Sequence, residues 1–323
     1  MKSAETKTDL CGNNYDTSQP RFIRNMRDLA NYVHLDDLPQ EFVNACLFIL
    51  HFNVPCKPEL TFDPGIPYVS DYKKQAGFGT FGPQHILTLV AEATTRAIKA
   101  AWYHKWFVHR RLRPEAFGGL IHRQLNNTVL LPPPLTPPLT PNLSAPYPEY
   151  DINDDILGKT GPNQILERIR VHNMQQNMDQ KGTYLLPQAF PEGSPTHPSY
   201  PSGHATIAGA CVTILKAFFN EDYDIPKPVQ SNSDGTQLID ATNPDGTPLT
   251  TTLKVGEELD KLASNISLGR NIAGVHYRSD HTQSLFLGES VGISILKDQA
   301  TTFREKFKFK FRRFNGKIME IKN

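Results

Sequence analysis

Three short stretches of this 323-residue chain hold residue types suited to oxyanion chemistry. In 198-PSYPSGHATIAGACVTILKAFF-219 a polar cluster, Pro201-Ser202-Gly203-His204, runs straight into an apolar helical pattern. Ser202 is a good N-cap, and the free N–H groups and positive dipole end of the helix behind it attract anions. Gly203 lets the backbone approach a ligand closely, and His204 on the first turn is placed for proton transfer. The same residues also make an ordinary helix cap with an incidental His.

The second stretch, 105-KWFVHRRLRP-114, sets Lys105, His109 and Arg113 at i, i+4 and i+8, roughly one helix face. Such cations either sit in water at a helix C-terminus or hold an anion, for which the planar fork of Arg is well shaped. The third, 268-LGRNIAGVHYRSD-280, places Arg270 six residues before His276, across Gly274. His276 and Asp280 fall at i, i+4, so the carboxylate can orient the imidazole. Each block alone has a plain structural explanation. Together they supply Lys, two Arg, Ser, a Gly N–H and two His, an inventory for one tetrahedral oxyanion with an imidazole above and another below.

The elements that must position these residues are mostly helical. Two helices are expected between Arg21 and Phe52, the second starting at Leu38-Pro39. A long helix is expected from about Gly82 to Arg113, because Leu87, Val90, Ala91, Thr94, Ala97, Ala101, Lys105 and Val108 recur at helical spacing. Pro114 is read as its stop. Further helices are expected at about 161–181, 203–219, 254–268 and 278–298. Two hairpins are expected. One spans 236–253 around Asn243-Pro244-Asp245-Gly246, and the other is the tail at 307–321 with an Asn315-Gly316 turn. Residues 1–20 read as a flexible tail, 55–80 as loop, and 131–148 as a Pro-rich connector. The expected fold is a mainly α helical bundle with small β-hairpin additions, a single domain over 21–323.

Composition excludes several function classes. Lys plus Arg is 34 and Asp plus Glu is 33, a net charge of +1 that gives no footprint for nucleic acid or a membrane surface. The four cysteines, Cys11, Cys46, Cys56 and Cys211, form no C-x-x-C, so zinc ribbons and thioredoxin-like motifs are disfavoured, and a disulfide stays open. Ser202 lacks a G-x-S-x-G elbow, and no H-E-x-x-H motif occurs. The polar N-terminus is not a signal peptide, and no apolar run approaches about 20 residues. These features predict a soluble, cytoplasmic protein.

The order and spacing of the three blocks resemble the superfamily shared by type-2 phosphatidic acid phosphatases and vanadium-dependent haloperoxidases. Its signature is a Lys followed by Arg-Pro, then Pro-Ser-Gly-His, then an Arg with five residues before His and three more before Asp. The strings YHKWFVHRRLRPEAFGG and GRNIAGVHYRSD look like the algal-type bromoperoxidases, as does the eight-residue step from Lys105 to Arg113. Gly269 stands where many of the phosphatases have Ser. His197 and Trp102 match positions that this group places near its cofactor, with packing beside a buried site as the plain alternative.

The resemblance implies a vanadate cofactor. His276 would coordinate the vanadium, Lys105, Arg113, Ser202, the Gly203 N–H and Arg270 would bind its oxygens, and Asp280 would hold His276. His204, His276 and Lys105 would be catalytic, and His197 and Trp102 would tune halide selection. The implied substrates are hydrogen peroxide, bromide or iodide, and small organic acceptors. Two alternatives stay open. One is a soluble acid phosphatase that forms a phosphohistidine on His276, and the other is an inactive half that serves in assembly. The resemblance covers roughly residues 20 to 300 and only the C-terminal half of the longer family enzymes. It therefore implies a homo-oligomer, or a partner that supplies the other, N-terminal helical half.

Overall fold

The computed structural model describes residues 21–52, 54–56, 79–125, 165–176, 182–303 and 307–322. The expected tail (1–20), the Pro-rich connector, most of the loop at 55–80, and Cys11 lie outside the described residues.

The mainly helical expectation holds. Helix α6 (Gly203–Phe218) is the hub, and every residue from Ala205 to Phe218 is buried. Its sequence is mostly apolar or small on every side, its threonines bond back to helix carbonyls and Lys216 pairs with Asp260, so the helix is stable inside a core. Around it pack α8 (Arg278–Ala300), α3 (Pro83–Tyr103), α7 (Val255–Ile272) and α2 (Gln40–His51). Helix α1 (Met26–Tyr32) lies on α7, and its N-cap Asn25 accepts from the N–H groups of Arg27 and Asp28, each at 3.0 Å. Helix α5 (Ile165–Gln176) falls within the span expected for it.

Glycines set the closest helix approach. A Cβ on Gly288 of α8 would run into the Thr206 carbonyl, and one on Gly209 of α6 would run into the Leu285 carbonyl. The two backbones therefore touch. That contact brings the start of α6 beside the first turns of α8, where the Ser202 N–H donates to Ser284 Oγ at 2.8 Å.

Three expectations need correction. The helix expected to reach Arg113 ends as α-helix at Tyr103. Residues His104–His109 form a π-helical turn, with the Arg110 N–H bonded to the Lys105 carbonyl at 3.0 Å, and Arg110 is left-handed at φ 46°. Lys105, His109 and Arg113 thus do not share one helix face. Pro114 stops nothing either: it is the first residue of α4 (Pro114–Leu125), and the Arg113 carbonyl accepts the first helical bond, from Phe117 N–H at 3.0 Å. Pro is well tolerated there because its missing N–H would be unpaired in any case.

The β additions are two small antiparallel sheets. The hairpin placed at 236–253 pairs in the other direction. Strand β2 (Leu238–Asp240) joins β1 (Val229–Ser231) around Asp234-Gly235, while the Asn243–Gly246 turn closes a single bridge between Thr242 and Pro248. The tail hairpin forms as expected, β3 (Lys308–Arg312) against β4 (Ile318–Lys322). Phe309 and Phe311 alternate inward from β3 and are fully buried. Phe309 stacks within 5.2 Å of Phe218, and Phe307 lies 5.0 Å from Phe81. Each such ring contributes about 1.5–3 kcal/mol by burial, so the hairpin is part of the core.

Candidate active site

The site begins with three cations taken out of water. Lys105, in the π turn, is 1% exposed, while Arg113 and Arg270 are 6% and 7% exposed. Lys105 Nζ donates to the carbonyls of Pro198 at 2.5 Å and Ser199 at 3.3 Å. Arg113 donates from Nε to the His197 carbonyl at 2.9 Å and from one terminal nitrogen to the Val275 carbonyl at 2.7 Å. Arg270, in the last turn of α7, donates to the Val33 carbonyl at 3.0 Å, but its buried Nε has no partner. Backbone carbonyls from three segments thus hold the cations in place, and one guanidinium donor is left over.

The charges press on one another. Burial, then the neighbouring Arg113, pushes the Lys105 ammonium down to about 7. Burial, then Arg270, pushes Arg113 down to about 10. Two buried carboxylates, Asp280 and Asp36, and the exposed Glu192 face this group, against three buried cations. An excess of buried positive charge and an unpaired guanidinium N–H are both costly, and an oxyanion relieves both. Ser202 and Gly203 lie at the positive end of α6, with the Ser202 hydroxyl accepting from Ala205 N–H at 3.5 Å. A Cβ on Gly203 would press on Ile98 at 3.1 Å.

His276 is fixed in one tautomer by its neighbours. Arg113 is an obligatory donor and lies 3.1 Å from His276 Nε2, so Nε2 carries the lone pair. The proton is on Nδ1, which donates to Asp280 Oδ2 at 3.1 Å. Burial pushes the imidazole down to about 3, so it is neutral. Asp280 is fully buried and also accepts from Ser199 Oγ, from Tyr277 N–H at 3.0 Å and from Arg111 at 2.8 Å. Burial alone would raise its carboxyl, but the bonds from His276, Ser199 and Tyr277 outweigh burial and hold it below the usual range. A neutral imidazole whose unprotonated Nε2 accepts only from Arg113, with a carboxylate behind Nδ1, is the arrangement a metal-ligating His requires.

His204 stands on the first turn of α6, with Nε2 2.9 Å from Asp36 Oδ1. The sequence reading missed Asp36. It sits in 35-LDDLPQEF-42, 168 residues from His204, where acids before a helix carry no special signal. His197 and Trp102 are brought together, ring centroids 5.1 Å apart. His197 also accepts from Arg113 at 3.0 Å, and burial with the Lys105 charge pushes it down to about 4. His109, grouped with Lys105 and Arg113 by spacing, instead turns outward and packs on Tyr200, a consequence of the π turn.

The sequence and described architecture match a known class of helical domain. Residues 170–305 match the VCPO second helical-bundle domain. Two relatives are 43% and 44% identical over 93% of this chain, the vanadium-dependent bromoperoxidases of Corallina officinalis and Corallina pilulifera, each covered over 47% of its own length. The vanadium-dependent bromoperoxidase of Ascophyllum nodosum is 36% identical over 93% of this chain and covered over 48%. A solved homohexameric structure of the second vanadate-dependent bromoperoxidase of Ascophyllum nodosum superimposes with a TM-score of 0.74 and 31% identity, over 94% of this chain and 49% of that one. The chain is a homologue of the vanadium-dependent bromoperoxidases, and it spans about half the length of the curated relatives it matches. Among the described residues, no helix is long and apolar enough to cross a membrane.

Proposed function

We propose that this chain binds vanadate and acts as a haloperoxidase, oxidising bromide or iodide with hydrogen peroxide and halogenating small organic acceptors. The observation that carries this reading is the neutral His276, its Nε2 lone pair turned toward buried Arg113 with the Lys105 charge nearby, and its Nδ1 proton held by Asp280. Lys105, Arg113 and Arg270 bind and neutralise the oxyanion, with the orphan Arg270 Nε among the donors. Ser202 and the Gly203 N–H contribute from the end of α6. His276 Nε2 is the ligand atom, and Asp280 keeps it unprotonated. Bound vanadate supplies a Lewis acid that activates peroxide toward halide without a change in its oxidation state. His204, oriented by Asp36, takes and returns protons at Nδ1. His197 and Trp102 line the approach and tune halide choice.

The chain acts as a homo-oligomer or with a partner that covers its apolar surface. Tyr103, Trp106 and Phe107 stand 58%, 40% and 72% exposed around the π turn, and the related bromoperoxidase is a homohexamer.

The decisive assay is bromination of a phenolic dye by apoprotein with peroxide and bromide, with and without orthovanadate, beside p-nitrophenyl phosphate hydrolysis. Bromination that requires vanadate is the expected result, and His276→Ala should abolish vanadate retention. Phosphate hydrolysis that vanadate inhibits, without bromination, would make the chain a phosphatase. Neither activity from folded protein would make it an assembly half.

A further inference from the structure

A second carboxyl lies behind the His204–Asp36 pair. Glu41 is in the first turn of α2, where an acid ordinarily sits in water and complements the helix dipole. Here it is 5% exposed. Both of its oxygens, and Asp36 Oδ2, are buried with no N–H or hydroxyl in bonding geometry. The two carboxyl groups lie within hydrogen-bonding reach of each other. The Tyr32 hydroxyl at the end of α1 approaches Glu41 without completing a bond.

Three buried acceptor oxygens with no donor among them repel one another and cost free energy. One proton between the two side chains removes the conflict, because an acid O–H donates to the facing carboxylate. Asp36 is bonded to the His204 imidazole and is the member that stays ionised. Glu41 is the member that carries the proton.

We propose that Glu41 is a positioning residue: its carboxyl proton, donated to Asp36 Oδ2, fixes Asp36 Oδ1 against His204 Nε2 and so holds the orientation of the imidazole. The role rests on His204 being the acid–base group of the proposed reaction. The charges agree with the geometry. Burial, with the Asp36 charge adding to it, pushes Glu41 up to about 8. For Asp36, burial is the largest influence and acts upward, but the bond and charge of His204 with the bond from Glu41 together outweigh it and leave the carboxyl below its ordinary value. Glu41 is faced by Tyr32 from α1, Asp36 from the α1–α2 loop and Cys211 from α6. Asp36 is faced in turn by His204, Arg270 and His34.

The test uses the full chain without vanadate, peroxide or halide, so its outcome is separate from that of the haloperoxidase reading. Infrared spectra at pH 6 should show the carbonyl band of a buried protonated acid, absent in Glu41→Gln and fading in the wild type as the pH passes about 8. Proton NMR follows the His204 ring N–H bonded to Asp36, assigned by its absence in His204→Ala. Gln donates an amide N–H to Asp36 in place of the acid proton, so Glu41→Gln should keep this resonance. Leu donates nothing, so Glu41→Leu should lose or displace it. An acid band that persists in Glu41→Gln overturns the proposal, as does an unmoved His204 resonance in Glu41→Leu. If the Leu variant does not fold, the infrared comparison with the near-isosteric Gln variant decides alone.

Discussion

Replacing Asp280 with Asn separates two roles that one side chain combines. Asp280 Oδ2 accepts from Ser199 Oγ, His276 Nδ1 and Tyr277 N–H, all within the core, whereas Oδ1 accepts from Arg111, whose side chain is 40% exposed. The Tyr277 N–H cannot move away, so the Asn carbonyl must take the Oδ2 position and its amide must face Arg111. Three bonds to a charged acceptor become bonds to a neutral one. At roughly 1 kcal/mol lost for each, the apoprotein should lose about 3 kcal/mol. The exposed Arg111 pair adds at most about 1 kcal/mol after solvent screening. With a weaker acceptor behind His276, orthovanadate affinity should fall by about 10- to 100-fold. Urea unfolding followed by the fluorescence of Trp102 and Trp106 reads stability, and the same signal beside His197 can be titrated with orthovanadate. Arg111→Ala is the control and should cost no more than about 1 kcal/mol. The reasoning fails if Asp280→Asn is no less stable than Arg111→Ala, or if it binds orthovanadate as tightly as the wild type.

Three further predictions follow from the same geometry. Lys105 is held near 7 without an anion, and a bound oxyanion favours its charged form. Binding of orthovanadate or phosphate should therefore take up a proton above pH 7 and weaken up to about tenfold per pH unit; Lys105→Met should remove this proton uptake, measured by calorimetry in buffers of different ionisation enthalpy. Gly288→Ala should destabilise the fold by about 3 kcal/mol in urea, since its methyl group meets the Thr206 carbonyl rather than a side chain that can turn aside. Phe309→Ala should cost about 3–5 kcal/mol in the same assay, the value for a core aromatic and not for a surface ribbon.

What could be read from the amino-acid order was local. The Ser202-Gly203-His204 cap, the Arg270–His276–Asp280 spacing and the alternation of 307-FKFKF-311 all predict the geometry their neighbours adopt, because each depends on contacts a few residues apart. The continuous helix through Arg113 failed because residues 104–109 have ordinary helical composition. The π turn instead coincides with Lys105 reaching the Pro198 and Ser199 carbonyls, a contact made across more than ninety residues. The Asn-Pro-Asp-Gly turn formed, but Leu238–Asp240 found its partner on the other side, around Asp234-Gly235. Asp36 and Glu41 left no trace in the pattern. Acids around a helix start are common, and only the tertiary fold brings them beside His204.

The burial of Phe307 and Phe309 against Phe81 has a consequence for biosynthesis. The two sides of that aromatic cluster are more than 220 residues apart in the chain. At roughly 5–20 residues per second, the ribosome needs on the order of 10–45 seconds to deliver the second after the first. Throughout that interval Phe81 lacks the C-terminal rings that cover it in the native core, and Phe218 lacks them from its own synthesis onward. The nascent chain is therefore a natural client for holdase chaperones. A stall shortly before residue 307 should release an aggregation-prone species, although the chain would already contain every residue of the proposed oxyanion site.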